Sequence, residues 1–167
     1  MYNELTAIDI KKMKEEINYR ANELRPTLSD EVKEARSLGD LSENAEYRSA
    51  RRAFCRNESR IRFLQKMIRT AKVISTESAI DEVGLFDKIK VLYEDTGDIE
   101  ELMISTTTRL DLQNGIISKE SPFGKAVLGK KVGDRVFVKV SPEYSYYVVI
   151  KEISKGQDDE SIPLNGY

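Results

Sequence analysis

The sequence predicts two domains: an N-terminal pair of long α-helices folded antiparallel as a coiled-coil hairpin, then a small α+β domain built on an antiparallel sheet. Three observations predict this. Apolar residues recur every three or four positions from Ile10 to Ala71, interrupted once by a glycine-bearing stretch at Gly39. The period changes to two soon after Asp81, where Ile89, Val91 and Tyr93 alternate with Lys88, Lys90 and Leu92. Turn-forming pairs such as Asn114-Gly115 and Gly133-Asp134 then punctuate the remainder.

The first arm carries Ile10, Met13, Ile17, Ala21, Leu24, Leu28, Val32, Ala35 and Leu38 as one helical stripe. Pro26 lies inside it, removing one backbone hydrogen bond and crowding the preceding turn, which predicts a kink or short break near Arg25. The second arm resumes with Tyr47, Ala50, Phe54, Asn57, Ile61, Leu64, Ile68 and Ala71, the three-four alternation of a coiled-coil seam with Asn57 as its polar member. Folding back at Gly39 sets Leu28 opposite Phe54, Leu24 opposite Asn57, Ile17 opposite Leu64 and Met13 opposite Ile68. Arms of roughly 30 residues reach on the order of 45 Å.

In the second half, residues 88–93 and 101–107 read as strands around the turn Asp95-Thr96-Gly97-Asp98. Lys125 to Leu128 reads as a short helix, and Arg135 to Val140 and Tyr144 to Ile153 as further strands. These patterns divide the chain into a helical hairpin over 1–76, an α+β domain over 77–154 and an acidic tail over 155–167. The tail lacks apolar periodicity and is expected to be flexible.

Composition narrows the chemistry. The 167 residues are 40% hydrophobic and 34% charged, the balance of a globular protein. No histidine occurs, which removes Ser-His-Asp and Cys-His nucleophilic sites and most catalytic zinc sites. Cys55 is the only cysteine and cannot pair within the chain; beside the seam it reads as a partly buried structural thiol. No apolar run suits a membrane span, and the opening Met1 to Ile10 has no apolar signal core, so a cytoplasmic protein without a membrane partner is expected.

The net charge of −2 hides a strong asymmetry. From Arg48 to Lys72 nine basic residues face Glu58 alone, while Asp40, Glu43 and Glu46 crowd the stretch GDLSENAEY at the bend. One reading is a capping box, with Asp40 accepting from a backbone N–H, Glu43 reaching back and Glu46 favouring the positive helix end. The other is a ligand set: three carboxylates at the end of a rod exceed what a cap requires, and hard oxygen donors suit magnesium. Two or three carboxylates bind magnesium weakly alone, so further ligands would come from a partner.

The run RPTLSDEVKEARSLGDLSENAEYRSARR, Arg25 to Arg52, closely resembles the N-terminal hairpin of bacterial GreA-like (Gre-type) transcript cleavage and elongation factors. The resemblance continues through SRIRFLQKMIRTAKVI and, in the second half, ISKESPFGKAVLGKKVGD from Ile117 to Asp134, covering roughly residues 5–153. It implies an FKBP-like C-terminal domain that docks at the rim of the RNA polymerase secondary channel. The coiled coil then enters the channel, where Asp40 and Glu43 help hold a shared Mg2+ and an attacking water. The protein is therefore expected not to be an enzyme itself, but to stimulate the polymerase's own cleavage of backtracked RNA.

The same resemblance implies that Glu120, Ser121 and Pro122 touch the polymerase rim, and that Arg36 and Arg51, with Arg52, attract the extruded RNA 3′ segment. Fold likeness to FKBP carries no prolyl isomerase activity with it. The competing readings are a channel binder that blocks the polymerase, and a coiled-coil adaptor or chaperone; an autonomous nuclease lacks enough ligands. The tail bearing Asp158, Asp159 and Glu160 stands outside the resemblance, and the turn Pro142-Glu143-Tyr144-Ser145 lacks the glycines expected there.

Overall fold

The computed structural model describes residues 4–37, 44–158 and 160–165. They form two compact units, one helical over residues 9–72 and one built on a sheet from residues 4–8 and 73–165. Among the described residues no helix is long and apolar enough to cross a membrane.

In the helical unit, helix α1 (Ala7–Tyr19) runs through a π-helical turn, Arg20–Leu24, into α2 (Arg25–Ser37). The break expected near Arg25 is thus a widened turn within a continuous helix. Pro26 cannot donate to the carbonyl one turn back, and the i→i+5 bond from Arg25 N to Arg20 O accommodates the loss. Thr27 Oγ1 bonds Glu23 O at 3.1 Å on the far side of the proline.

Helix α3 (Ala45–Arg69) follows and packs on α2. Cross-arm partners run in opposite directions along the two arms: Ala35 meets Asn44, Arg20 meets Asn57, and Glu16 meets Arg60. Met13, Ala35, Ile61, Leu64 and Met67 are buried between the arms or at their ends, whereas Ile68, expected opposite Met13, is half-buried and Met67 takes the core position. Asn57 is buried as the polar member of the seam and hydrogen-bonds Arg20 across the arms, and Leu24, set opposite it by the spacing, lines the same groove together with Arg20 and Arg56. Cys55 is exposed, contrary to its expected partial burial, because it sits off the stripe defined by Phe54, Asn57 and Ile61.

The sheet unit begins earlier in sequence than periodicity predicts. Strand β1 (Glu4–Leu5) joins β2 (Lys72–Val73) in a two-stranded sheet, and Ile74 N donates to Leu5 O at 3.0 Å. Leu5 is fully buried, Thr6 accepts from Arg109, and Glu4 pairs with Lys119, so these residues belong with the sheet and not with a hairpin spanning 1–76.

The main sheet has the order β5-β4-β3-β7-β6, from β3 (Lys88–Tyr93), β4 (Ile99–Ser105), β5 (Ile116–Ser118), β6 (Arg135–Lys139) and β7 (Ser145–Ser154). Strand β5 corrects the expectation of an all-antiparallel sheet, since it pairs parallel to β4. Two 3₁₀ turns, Thr107–Arg109 and Leu112–Asn114, supply the crossover that a parallel neighbour requires. Left-handed Gly115, at φ 69°, closes the second turn and ends the crossover.

Alternation decides which side of the sheet is dry. In β6, Val136 and Val138 point inward between exposed Arg135, Phe137 and Lys139. They join Ile89, Val91, Ile104, Val148 and Ile150 under helix α4 (Pro122–Val127), which contributes Phe123 and Val127. Each such side chain stabilises the fold by roughly 1.5–3 kcal/mol relative to exposure. Tyr147 lies exposed on the opposite face beside Phe137, whereas Tyr144 is exposed beside the half-buried Tyr146.

The described tail is not loose. Lys155 Nζ donates to Ser78 Oγ and to buried Asp87 Oδ2, Asp158 pairs with Arg109, and Ile162 is buried. The lack of apolar periodicity led to the opposite expectation, because this segment is fixed by polar contacts at isolated points.

Candidate functional site

Asp40 and Glu43 lie outside the described residues. The structure does define both of their flanks. Helix α2 ends at Ser37, and α3 begins at Ala45 behind the N-cap residue Asn44, whose Oδ1 accepts from Tyr47 N at 2.8 Å. The start of α3 is therefore capped by Asn44, one turn beyond the Asp40–Glu43 box that spacing predicts. Glu46, in the first turn of α3, sits where the helix dipole favours a carboxylate.

Asn44 does a second thing. Its Nδ2 donates to Ala35 O at 2.7 Å, satisfying one of the carbonyls that the last turn of α2 leaves without a helical partner. One side chain thus closes the end of one arm and the start of the other.

Below that tie the arms are fastened by charge. Arg25 reaches across to Glu58 with two hydrogen bonds of 2.6 and 2.9 Å. Arg60, buried, makes a bidentate pair with Glu16 at 2.8 and 2.9 Å, and Arg20 adds a 2.7 Å bond to the same carboxylate. Burial pushes the Glu16 carboxyl up, but hydrogen bonds and charge from Arg60 and Arg20 outweigh it and hold the group below its ordinary value. Such forked pairs fix geometry as well as charge, so they set the register of one arm on the other.

Arg36 stands in the last turn of α2, where a cation complements the helix dipole, and is exposed. Arg51 and Arg52 are exposed on the first half of α3, one helical turn beyond Arg48. The three sequence-predicted cations thus flank the bend on both arms with their charges in solvent.

In the sheet unit Glu120, Ser121 and Pro122 form a built corner. Ser121 caps α4, its Oγ accepting from Gly124 N at 2.9 Å and donating to Ser118 O at 2.7 Å. Pro122 occupies the first turn of α4, where its missing N–H costs nothing. Glu120 N donates to Ser118 Oγ at 3.1 Å, and the half-buried Glu120 carboxylate meets Lys125 at 3.0 Å. Gly124 is required here: a Cβ would stand 2.3 Å from Ser118 O.

Two family models match the chain almost end to end: "Transcription elongation factor, N-terminal" over residues 3–73, and "Transcription elongation factor, GreA/GreB, C-term" over residues 71–155. The chain belongs to the GreA/GreB family of transcription elongation factors. The two family domains meet at residues 71–73, where the helical unit gives way to the sheet unit. Transcription elongation factor GreA of Mesoplasma florum is 40% identical over 152 residues, covering 90% of this chain and 96% of its own. GreA of Thermoanaerobacter pseudethanolicus is 42% identical over 137 residues, covering 81% and 87%. Among solved structures, GreA factor homolog 1 of Thermus thermophilus overlaps with a TM-score of 0.41 at 21% identity, over 91% of this chain and 98% of that one; so loose an overlap decides nothing further.

Three features of the site were missed by reasoning from sequence. Asn44 was passed over because Asp40 and Glu43 offered a capping pattern of their own. The Glu16–Arg60 pair was missed because both residues are polar and lie beside the apolar stripe. The Arg109–Asp158 pair joins residues 49 positions apart with no motif between them.

Proposed function

We propose that this protein rescues stalled transcription by carrying Asp40 and Glu43, at the end of a coiled-coil hairpin, through the secondary channel of bacterial RNA polymerase to its active site. The observation that carries the reading is the family match over residues 3–155, a span that includes both acids. Asn44 gives further support. Because it caps α3, helix initiation does not call on either acid, and their presence asks for another explanation.

The chemistry is set by the residue types. Water adds to a phosphodiester phosphorus of the backtracked RNA, the bond to the upstream 3′ oxygen breaks, and a new 3′ hydroxyl remains on the transcript. Magnesium bound by the polymerase would supply Lewis-acid chemistry there, lowering the pKa of the attacking water. Asp40 and Glu43 contribute hard oxygen donors that complete this site and orient the water; two carboxylates alone would bind the ion too weakly to act without the polymerase. The protein is accordingly a stimulator and not an enzyme in isolation.

Arg36, Arg51 and Arg52 attract the phosphates of the extruded RNA 3′ segment beside the tip. Glu120, Ser121 and Pro122 dock the sheet domain, which we take as FKBP-like in kind, at the channel rim. The ion-paired arms between Glu16 and Arg60 supply a stiff support, which a group delivered to an active site needs. The protein would work in the bacterial cytoplasm with the polymerase.

The deciding experiment is cleavage of labelled RNA in a stalled, backtracked elongation complex with magnesium, comparing wild type with the Asp40→Ala/Glu43→Ala double variant. Stimulation by wild type alone, with polymerase binding kept by both, supports the donated-carboxylate reading. Slower elongation with both proteins would replace it with a channel blocker, and no effect of either with an adaptor.

A further inference from the structure

The family match ends at residue 155, and the chain runs on to Tyr167. The described residues beyond 155 are fastened to the sheet domain in a manner that leads, contact by contact, to Glu120-Ser121-Pro122. We propose that the C-terminal tail is a positioning strap: Asp158 and Asn165 hold the Thr107–Arg109 turn, and through it set the geometry of the corner at Glu120 and Ser121. The proposal rests on the reading of that corner as the polymerase-docking element.

The strap begins where the backbone of Gly156 passes Phe86 so closely that a Cβ would stand 1.8 Å from Phe86 O. Only glycine fits that approach. Gly156 N donates to Asp87 Oδ1 at 3.0 Å, and Lys155 Nζ meets the other carboxylate oxygen at 2.6 Å. Asp158 then reaches Arg109, whose guanidinium is fully buried. Its Oδ1 lies 2.7 Å from Arg109 Nη1, an ion-pair contact set off the line of a well-formed hydrogen bond. Arg109 Nη2 donates to Thr6 Oγ1 at 3.2 Å, and the guanidinium stacks over Phe86, 5.0 Å from the ring centroid. A buried guanidinium cannot shed its proton, so removing Asp158 takes a carboxylate away from a charge that cannot adapt.

Farther along, Ile162 is buried and Asn165 clasps the same turn from its other side. Asn165 N donates to Thr108 O at 2.8 Å and its Nδ2 to Thr107 O at 3.3 Å. From the turn the connection continues inward. Thr107 Oγ1 and Ser118 Oγ lie 3.1 Å apart, and Ser118 Oγ accepts from Glu120 N at 3.1 Å. Ser118 O accepts from both Ser121 N and Ser121 Oγ, and Lys119 N bonds Ser105 O at 2.8 Å at the base of the turn. The links run through backbone and through buried or half-buried side chains, so a shift of the 107–109 turn displaces the hydrogen-bond partner of Glu120. Asp158 and Asn165 are positioning residues: neither is argued to touch the polymerase.

The test uses the full-length protein with Asp158→Ala, Asn165→Pro (which removes the N–H donor to Thr108) and Glu120→Arg, alone and as the Asp158→Ala/Glu120→Arg pair. Affinity for RNA polymerase is read well below each variant's unfolding temperature, with amide hydrogen exchange measured alongside. The strap predicts about a tenfold loss of affinity for Asp158→Ala and for Asn165→Pro. It also predicts that the pair binds no more weakly than Glu120→Arg alone, because both changes act through one corner. Amides of residues 118–124 should exchange about tenfold faster in both tail variants while those of the central strands β3 and β7 keep wild-type rates.

If exchange rises equally through β3 and β7, or the 118–124 amides are unmoved, the tail is an ordinary stabilising segment and the proposal fails. Should Glu120→Arg bind as wild type, the docking reading fails by itself, and the exchange pattern still decides whether the strap sets the corner. A Glu120→Arg that binds weakly beside tail variants that bind normally overturns the strap and leaves the docking reading standing.

Discussion

Asn57 and Arg20 hydrogen-bond in both directions across the helical arms: Asn57 Oδ1 accepts from Arg20 Nη1 at 3.2 Å, and Asn57 Nδ2 donates to Arg20 O at 3.2 Å. Arg20 opens the π-helical turn forced by Pro26, and its carbonyl already accepts from Arg25 N. The irregular turn of one arm is thus matched to the single polar position in the seam of the other. Any slip of one arm along the other separates the two, so the pair specifies register where apolar contacts alone would tolerate alternatives.

Replacing Asn57 with alanine should therefore cost about 1–3 kcal/mol, the penalty for a buried polar group left without its partner. Asn57→Ala is expected to lower the denaturant midpoint with the slope of the transition unchanged. A loss within error of zero would mean that the groove beside Arg20 and Arg56 hydrates the site freely.

Acid should loosen the same arms. Glu16 has its carboxyl held below the ordinary value of 4.5: burial opposes this, and hydrogen bonds and charge from Arg60 and Arg20 prevail. A depressed folded-state carboxyl contributes stability that is present above the unfolded value and is lost as pH falls through the folded one. Stability of the wild type should thus fall more steeply below pH 4.5 than that of Glu16→Gln, which cannot titrate there. Chemical denaturation at a series of pH values measures the slopes; parallel curves would remove Glu16 from the account of acid sensitivity.

Gly124 sits in α4 with no room for a side chain. A Cβ would stand 2.3 Å from Ser118 O and 2.8 Å from the Lys119 Cα, both backbone atoms that cannot swing aside. Gly124→Ala should cost about 1–3 kcal/mol by overpacking and should disturb the corner that Ser121 caps. Thermal unfolding of the isolated protein reads the stability, and on the proposed docking role polymerase affinity reads the corner.

Periodicity disclosed the two halves well because each is dominated by one repeating interaction. The seam from Tyr47 to Leu64 and the alternation of Val136 and Val138 are burial patterns, and burial is what hydrophobic spacing records. Polar anchoring leaves no such trace. Glu4 beside Lys119, Asp158 beside Arg109 and Asn44 beside Ala35 depend on the folded chain bringing distant residues together, and none has a spacing rule. The parallel strand β5 escaped notice for another reason: three residues, Ile116 to Ser118, are too few to display a period. Of the candidate site, the acids stand out in the sequence but lie outside the described residues, and the capping asparagine does not stand out, since one side chain serving two helix ends has no separate sequence signature.

That asparagine yields the sharpest test of the tip. Asn44 accepts from Tyr47 N and donates to Ala35 O, so Asn44→Ala removes the cap of α3 and the tie to α2 together. The lost cap should cost about 1–2 kcal/mol in stability. Asn44→Asp keeps an acceptor for Tyr47 N but cannot donate to Ala35 O, so it should restore most of the stability and not the tie. If Asp40 and Glu43 work by meeting a metal at fixed geometry, losing the tie should reduce stimulated cleavage by about tenfold in both variants. If the other domain docks the polymerase as proposed, polymerase affinity should stay within about twofold. Full cleavage by Asn44→Asp would mean that the cap alone supports the tip, and a parallel loss of binding and cleavage would place Asn44 among the docking contacts instead.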